Sequence, residues 1–136
     1  MDRRHFLFLT AGAAALPLVA TAAPLDYETG LVEKHLEAGD TVFLDFKASW
    51  CSTCAAQERV INALKADNPD YATKITFINV DWDEHGKSDL VKRMNIPRRS
   101  TLVVLKGDQE LGRIVAQTGK SQIKALMDTA LGAATA

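Results

Sequence analysis

Cysteine is scarce in this sequence: only two are present, three apart in Trp50-Cys51-Ser52-Thr53-Cys54. That scarcity excludes a fold stapled by disulfides, because a ring closed between Cys51 and Cys54 restrains the unfolded chain very little. It also argues against a structural zinc site, which needs four ligands: His35 and His85 have no ligand-like spacing to the cysteines, and His5 falls in a segment read below as a leader. There is no Met-rich or His-rich tract, no Ser/Pro/Gly-rich linker and no internal repeat across the 136 residues. No apolar run reaches the roughly 20 residues of a membrane span. Net charge is nearly absent as well. A formal charge of -1 with 47% hydrophobic residues fits neither a disordered chain nor an evident nucleic-acid binder. What remains is one small globular domain with a single closely spaced pair of thiols.

The first 22 residues read differently from the rest. Arg3 and Arg4 precede an apolar run from Phe6 to Val19, broken near its end by Pro17, and Ala20-Thr21-Ala22 offers small residues at cleavage spacing. The segment is expected to be an export signal, with Arg3-Arg4-His5-Phe6-Leu7 similar to the core of twin-arginine signals. The general secretory route and a retained N-terminal anchor stay open. Residues 23–136 then form the folded domain, and losing Asp2, Arg3 and Arg4 moves the formal charge from -1 to -2. A leader implies a periplasmic location, where an unprotected dithiol tends to be oxidised.

Two cysteines three apart at the start of a helix share one face. Free helix N–H groups and the positive end of the dipole favour a thiolate at Cys51, so its pKa is expected to fall below that of free cysteine. Cys51 is the expected nucleophile. Once a substrate sulfur is bonded to it, Cys54 is placed to displace that sulfur, so the pair forms a redox-active disulfide and no other cofactor is expected. Two inert buried cysteines fit less well, because a preceding Trp and small polar residues between them suggest an exposed turn.

Along the rest of the chain, Asp26 is expected to cap a helix carrying Tyr27, Leu31, Val32 and Leu36, closed by Gly39-Asp40. Thr41 to Lys47 is a nearly continuous apolar strand interrupted by Asp45, as suits a central strand covered on both faces. A helix from the cysteines reaches about Ala66 and breaks at Asn68-Pro69-Asp70. Ile75 to Val80 is the next strand and Asp81 to Lys87 a charged loop. Leu90, Val91 and Met94 mark a short helix, and Thr101 to Leu105 and Leu111 to Ala116 form a hairpin through Gly107-Asp108. A last helix runs from about Ser121 to Leu131. The expected order is αβαβαββα.

These residues resemble the thioredoxin family from about Thr41 to Leu131. Val42-Phe43-Leu44-Asp45-Phe46-Lys47-Ala48-Ser49-Trp50-Cys51-Ser52-Thr53-Cys54 is similar to its strand, buried aspartate and W-C-x-x-C. Phe77-Ile78-Asn79-Val80-Asp81 resembles the next strand, Thr101-Leu102-Val103-Val104-Leu105-Lys106-Gly107 the hairpin strand, and Lys120-Ser121-Gln122-Ile123-Lys124 the start of the last helix. The resemblance implies a thioredoxin-like α/β fold, a central mixed sheet flanked by helices. It makes Asp45 the buried acid behind Cys54, with a raised pKa and the role of general base. The other reading of Asp45 is a carboxylate satisfied by backbone donors or by Lys47. Trp50 would shield the dithiol's flank or simply belong to the core.

One position departs from the family. The alignment on Thr101-Leu102 puts Ser100 where the family carries a cis-proline facing the cysteines, and Pro97 lies three residues away. Ser100 is expected to have a trans peptide and to offer both an N–H and a hydroxyl to the sulfurs, making the protein less reducing. Ser100→Pro is expected to lower the potential and raise the Cys51 pKa. Arg99 is expected to lower the Cys51 pKa further and attract an acidic partner surface. Trp50, Arg99, Ser100 and Thr101 are the expected substrate-facing residues; the alternative for Arg98, Arg99, Lys92 and Arg93 is a solvated charged face.

The resulting expectation is an exported, monomeric thiol–disulfide oxidoreductase acting on protein disulfides mainly as a reductant, supplied by a membrane-bound electron donor. Ser52-Thr53 does not settle direction, so an oxidant or isomerase stays open. From a different class comes a soft-metal carrier holding copper(I) between Cys51 and Cys54.

Overall fold

The computed structural model describes residues 23–136, so the export segment expected over residues 1–22 lies outside the described residues. The elements are β1 (Leu25–Asp26), α1 (Leu31–Glu37), β2 (Thr41–Lys47), α2 (Ser52–Asp67), α3 (Asp70–Lys74), β3 (Thr76–Asp81), α4 (Trp82–His85), α5 (Asp89–Arg93), β4 (Thr101–Lys106), β5 (Gln109–Val115) and α6 (Lys120–Thr135). One five-stranded sheet runs β1-β3-β2-β4-β5. β3 pairs parallel with both β1 and β2, whereas β4 is antiparallel to β2 and β5, so the sheet is mixed as expected. Among the described residues no helix is long and apolar enough to cross a membrane.

β2 is the strand around which the layers form. Val42, Phe43, Leu44 and Phe46 are all fully buried, which is why this segment reads as an unbroken apolar run. Alternation sends Phe43 to one face, with Ile61, Leu64, Tyr71, Ile123 and Met127 of α2, α3 and α6. Val42, Leu44 and Phe46 go to the other face, with Val32 of α1 and Leu90 and Val91 of α5. Asp45 has the parity of Phe43 and therefore lies on the face covered by α2. On the same side Gly112 of β5 lets α6 approach, since a Cβ there would meet Leu126 at 2.7 Å.

Three local expectations are corrected. Asp26 does not cap a helix: it pairs with Asn79 in the edge strand β1, and α1 starts later, after Gly30 at φ +89°. A positive φ is accessible to glycine without a Cβ clash, so Gly30 sets the start. The segment after Pro69 folds as a separate helix, α3, and the charged loop after β3 contains α4, whose start Asp81 caps by accepting from the Asp83 and Glu84 N–H groups.

Candidate active site

The end of β2 leads directly into the cysteine turn, and sheet register places Phe46 opposite Thr101, the first residue of β4. The residue before β4, Ser100, is thereby brought to Cys54 and Cys51 from 46 and 49 positions away in sequence. Cys51 is the N-cap of α2, with extended backbone, and its Sγ accepts the Cys54 N–H at 3.2 Å. Both cysteines are free thiols and both are buried, Cys51 at 4% and Cys54 at 1% exposure. The exposed turn expected from the motif is therefore corrected: the loop before β4 and the wall formed by Ala48 and Trp82 cover the sulfurs, and Trp50 is the exposed residue, at 59%.

The two thiols are inequivalent. Burial pushes the Cys51 thiol up, but hydrogen bonds from Cys54 and from the Ser100 hydroxyl outweigh it, Arg99 adds to them, and the pKa falls to about 6. Burial raises Cys54, and its hydrogen bond to Cys51 raises it further. This is the arrangement of one thiolate and one thiol that a stepwise exchange requires.

Ser100 has a positive φ of 63°, and no cis peptide occurs among the described residues. Its Oγ lies 3.3 Å from Cys51 Sγ and 3.1 Å from Cys54 Sγ. The expected second donor is corrected, however: the Ser100 N–H donates to the Phe46 carbonyl at 2.7 Å and is not available to the sulfurs. Thr101 is fully buried and its hydroxyl donates to the Arg98 carbonyl at 2.7 Å, so this side chain closes the loop internally. Arg99 stacks over Trp50, 4.4 Å from the ring centroid, and the Trp50 Nε1–H donates to both Asp83 carboxylate oxygens at 3.0 Å.

Asp45 is 6% exposed, and its Oδ1 has no hydrogen-bond partner among the described residues. Lys47 is engaged instead by Glu58, at 2.7 Å. Burial pushes the Asp45 carboxyl up to about 7, with Lys47 opposing and Glu58 adding to the rise. The carboxyl lines a cavity of about 20 Å³, room for a single water. The sulfurs line a separate cavity of about 480 Å³. Lys47, Glu58 and Asn79 belong to both walls, so the Lys47–Glu58 pair stands between the acid and the dithiol.

Sequence reasoning missed Gln57, Glu58 and Asp83. Gln57 is fully buried, and its Nε2 donates to the carbonyls of Ser100 and Gln117 at 3.0 Å each, pinning the loop before β4 to the helix of the cysteines. Its spacing of three from Cys54 puts it on the same helix face, a signal that was available. Asp83 carries no such signal.

The thioredoxin family model matches residues 25–129. Thioredoxin H2-1 of Oryza sativa subsp. japonica is 29% identical over 118 residues, which cover 87% of this chain and 78% of the rice protein. Thioredoxin H2 of Arabidopsis thaliana is 32% identical over 79 residues, covering 58% of this chain and only 55% of the Arabidopsis protein. Among solved structures, Trxlp from Edwardsiella tarda EIB202 superposes with a TM-score of 0.65 at 23% identity, over 76% of this chain and 98% of that one, a likeness of fold.

Proposed function

The chain belongs to the thioredoxin family and carries a Cys-x-x-Cys pair consistent with protein-disulfide oxidoreductase activity, and we propose that Cys51 is its attacking thiolate and Cys54 its resolving thiol. The observation that carries this reading is the asymmetry of the pair: Cys51 is lowered to about 6 while Cys54 is raised. At neutral pH one sulfur is charged and the other holds a proton.

The reaction follows from that asymmetry. The Cys51 thiolate attacks one sulfur of a substrate disulfide and the other leaves as a thiolate. Cys54 then loses its proton and attacks Cys51 Sγ, releasing the second substrate sulfur and leaving a Cys51–Cys54 disulfide. Asp45 is the proposed base for the Cys54 proton. A carboxyl near 7 is matched to proton exchange at neutral pH, and the proton route passes the Lys47–Glu58 pair between the two cavities.

The direction proposed is reduction of protein disulfides outside the cytoplasm, by a monomer recharged from a membrane-bound dithiol donor. The leader pattern of residues 1–22 supports the location. A soft-metal carrier is the less favoured reading: two thiols alone can hold copper(I), but no Met-rich or His-rich tract accompanies them in the sequence. The deciding experiment equilibrates the protein with defined thiol–disulfide buffers. A two-electron potential between about -270 mV, typical of thioredoxin, and about -200 mV supports a reductant, and a value near -120 mV assigns it to disulfide donation instead. Tight copper(I) binding by the reduced protein, with no disulfide turnover, would replace the redox reading.

A further inference from the structure

Ser100 has its backbone groups committed elsewhere. Its N–H donates to Phe46, and its carbonyl accepts from the Ala116 N–H at 2.9 Å and from Gln57 Nε2 at 3.0 Å. Only the hydroxyl is left, and it reaches both sulfurs. The residue is fully buried and sits at a φ that L-residues rarely adopt, so the surrounding bonds hold it in place against its own conformational preference. A serine hydroxyl has one proton to donate and two lone pairs. It can donate to one sulfur at a time.

We propose that Ser100 is a catalytic residue that hands its single hydrogen bond from Cys51 to Cys54 between the two steps of disulfide exchange. This rests on the assignment of Cys51 as attacker and Cys54 as resolver. In the reduced protein the hydroxyl and the Cys54 S–H both donate to the Cys51 thiolate. Attack joins Cys51 Sγ to a substrate sulfur, breaks the substrate S–S bond and removes the charge from Cys51. The hydroxyl then rotates and donates to Cys54, favouring its thiolate when that sulfur must attack. The Cys54 proton passes to the base, the Cys54 electron pair forms the bond to Cys51 Sγ, and the substrate sulfur leaves with the pair of the broken bond and takes up a proton. Substrate gains two electrons; the Cys54 proton and one proton from solvent, where Cys51 left its own on ionising, neutralise the two released sulfurs, the dithiol becomes a disulfide, and Ser100 keeps its own proton throughout. A proline at this position, as the family carries, has no hydroxyl to perform the hand-over.

Other charged groups lie near the sulfurs and bear on the absolute midpoints: Asp45 and Lys47 from β2, Glu58 from α2, Arg99 from the loop, and Asp26, Asp81, Glu84 and His85 across the larger cavity. The test therefore compares variants with the unmodified chain. Ser100→Ala removes the hydroxyl, and Ser100→Gly removes it while accepting the positive φ, so a folded variant is secured. Reduced protein is mixed with the aromatic disulfide 5,5′-dithiobis(2-nitrobenzoate), whose first and second thiolate releases report attack and resolution separately, and each rate is measured against pH. Both midpoints are expected to rise by about one unit in both variants, slowing each step about tenfold below its midpoint. A raised attack midpoint with an unchanged resolution midpoint overturns the hand-over and leaves the roles of Cys51 and Cys54 standing. If the unmodified chain never releases the second thiolate, the assignment of Cys54 falls, and the hand-over with it.

Discussion

Arg99 and Trp50 form a stacked pair at the mouth of the site, the guanidinium 4.4 Å from the indole centroid, with the far edge of the indole held by Asp83. The exposed ring thus has Arg99 on its face and Asp83 at its edge. Its orientation is fixed from both sides, since the cation interacts with the ring face while the carboxylate takes the N–H at the edge.

Arg99→Ala is therefore expected to have two effects. The apparent pKa of Cys51 rises, because one lowering interaction is lost. Preference for disulfide peptides with an acidic residue beside the cysteine falls, by up to about fivefold in kcat/KM, an exposed charge contact being worth at most roughly 1 kcal/mol. Equal selectivity in Arg99→Ala and the parent, measured with Glu- and Gln-flanked peptides, would make the pair a structural contact only.

Alkylation separates the thiols. Under limiting iodoacetamide at pH 7, Cys51 is expected to be labelled first, with a rate that levels off above about pH 6 and drops tenfold per pH unit below it. Burial at 4% slows the plateau rate without moving the midpoint. Peptide mapping that finds Cys54 labelled first would reverse the assignment.

For Asp45 the linkage has a definite sign. Its folded-state pKa, about 7, lies above its ordinary 3.8, so the folded protein holds this proton more tightly than the unfolded chain. Stability from this group is complete below about pH 4, is lost progressively up to about pH 7, and stays lost above. Asp45→Asn is expected to leave stability unchanged near pH 4 and to raise it at pH 8 by up to about 4 kcal/mol. Release of the second substrate sulfur slows in the same variant. A chemical denaturation series at the two pH values, with single-turnover kinetics, checks both, and an unchanged release rate would remove Asp45 as the base.

Ser100→Pro is no longer a clean test of the potential. Proline fixes φ near -65°, whereas Ser100 is at +63°, and it would lose the N–H donated to Phe46. The variant is expected to be less stable than the parent, the orphaned Phe46 carbonyl alone costing about 1 to 3 kcal/mol. Ser100→Gly retains the N–H and the positive φ, and its reduction potential is expected to fall by about 30 mV as the Cys51 thiolate loses a donor. A Ser100→Pro protein as stable as the parent would mean that the loop before β4 can adopt a second conformation.

The covalent equipment was legible in the sequence because it is local. Cys51, Cys54 and the helix that presents them lie within one turn, the β2 pattern marks a strand buried on both faces, and a carboxylate in that strand stands out against its apolar neighbours. Parity along β2 even puts Asp45 on the side of α2. The position of Ser100 was legible only as an aligned letter. What it does depended on contacts between segments distant in the chain: the Phe46 carbonyl consumes its N–H, Gln57 and Ala116 hold its carbonyl, and the remaining hydroxyl is left between two sulfurs. The same holds for Lys47, which the sequence places beside Asp45 but the fold pairs with Glu58. Hydrophobic period and turn chemistry are written residue by residue and determine which elements form. The partner of a buried polar group is decided only when sheet register and helix packing bring the candidates together, because only then does each donor and acceptor compete for a fixed set of neighbours.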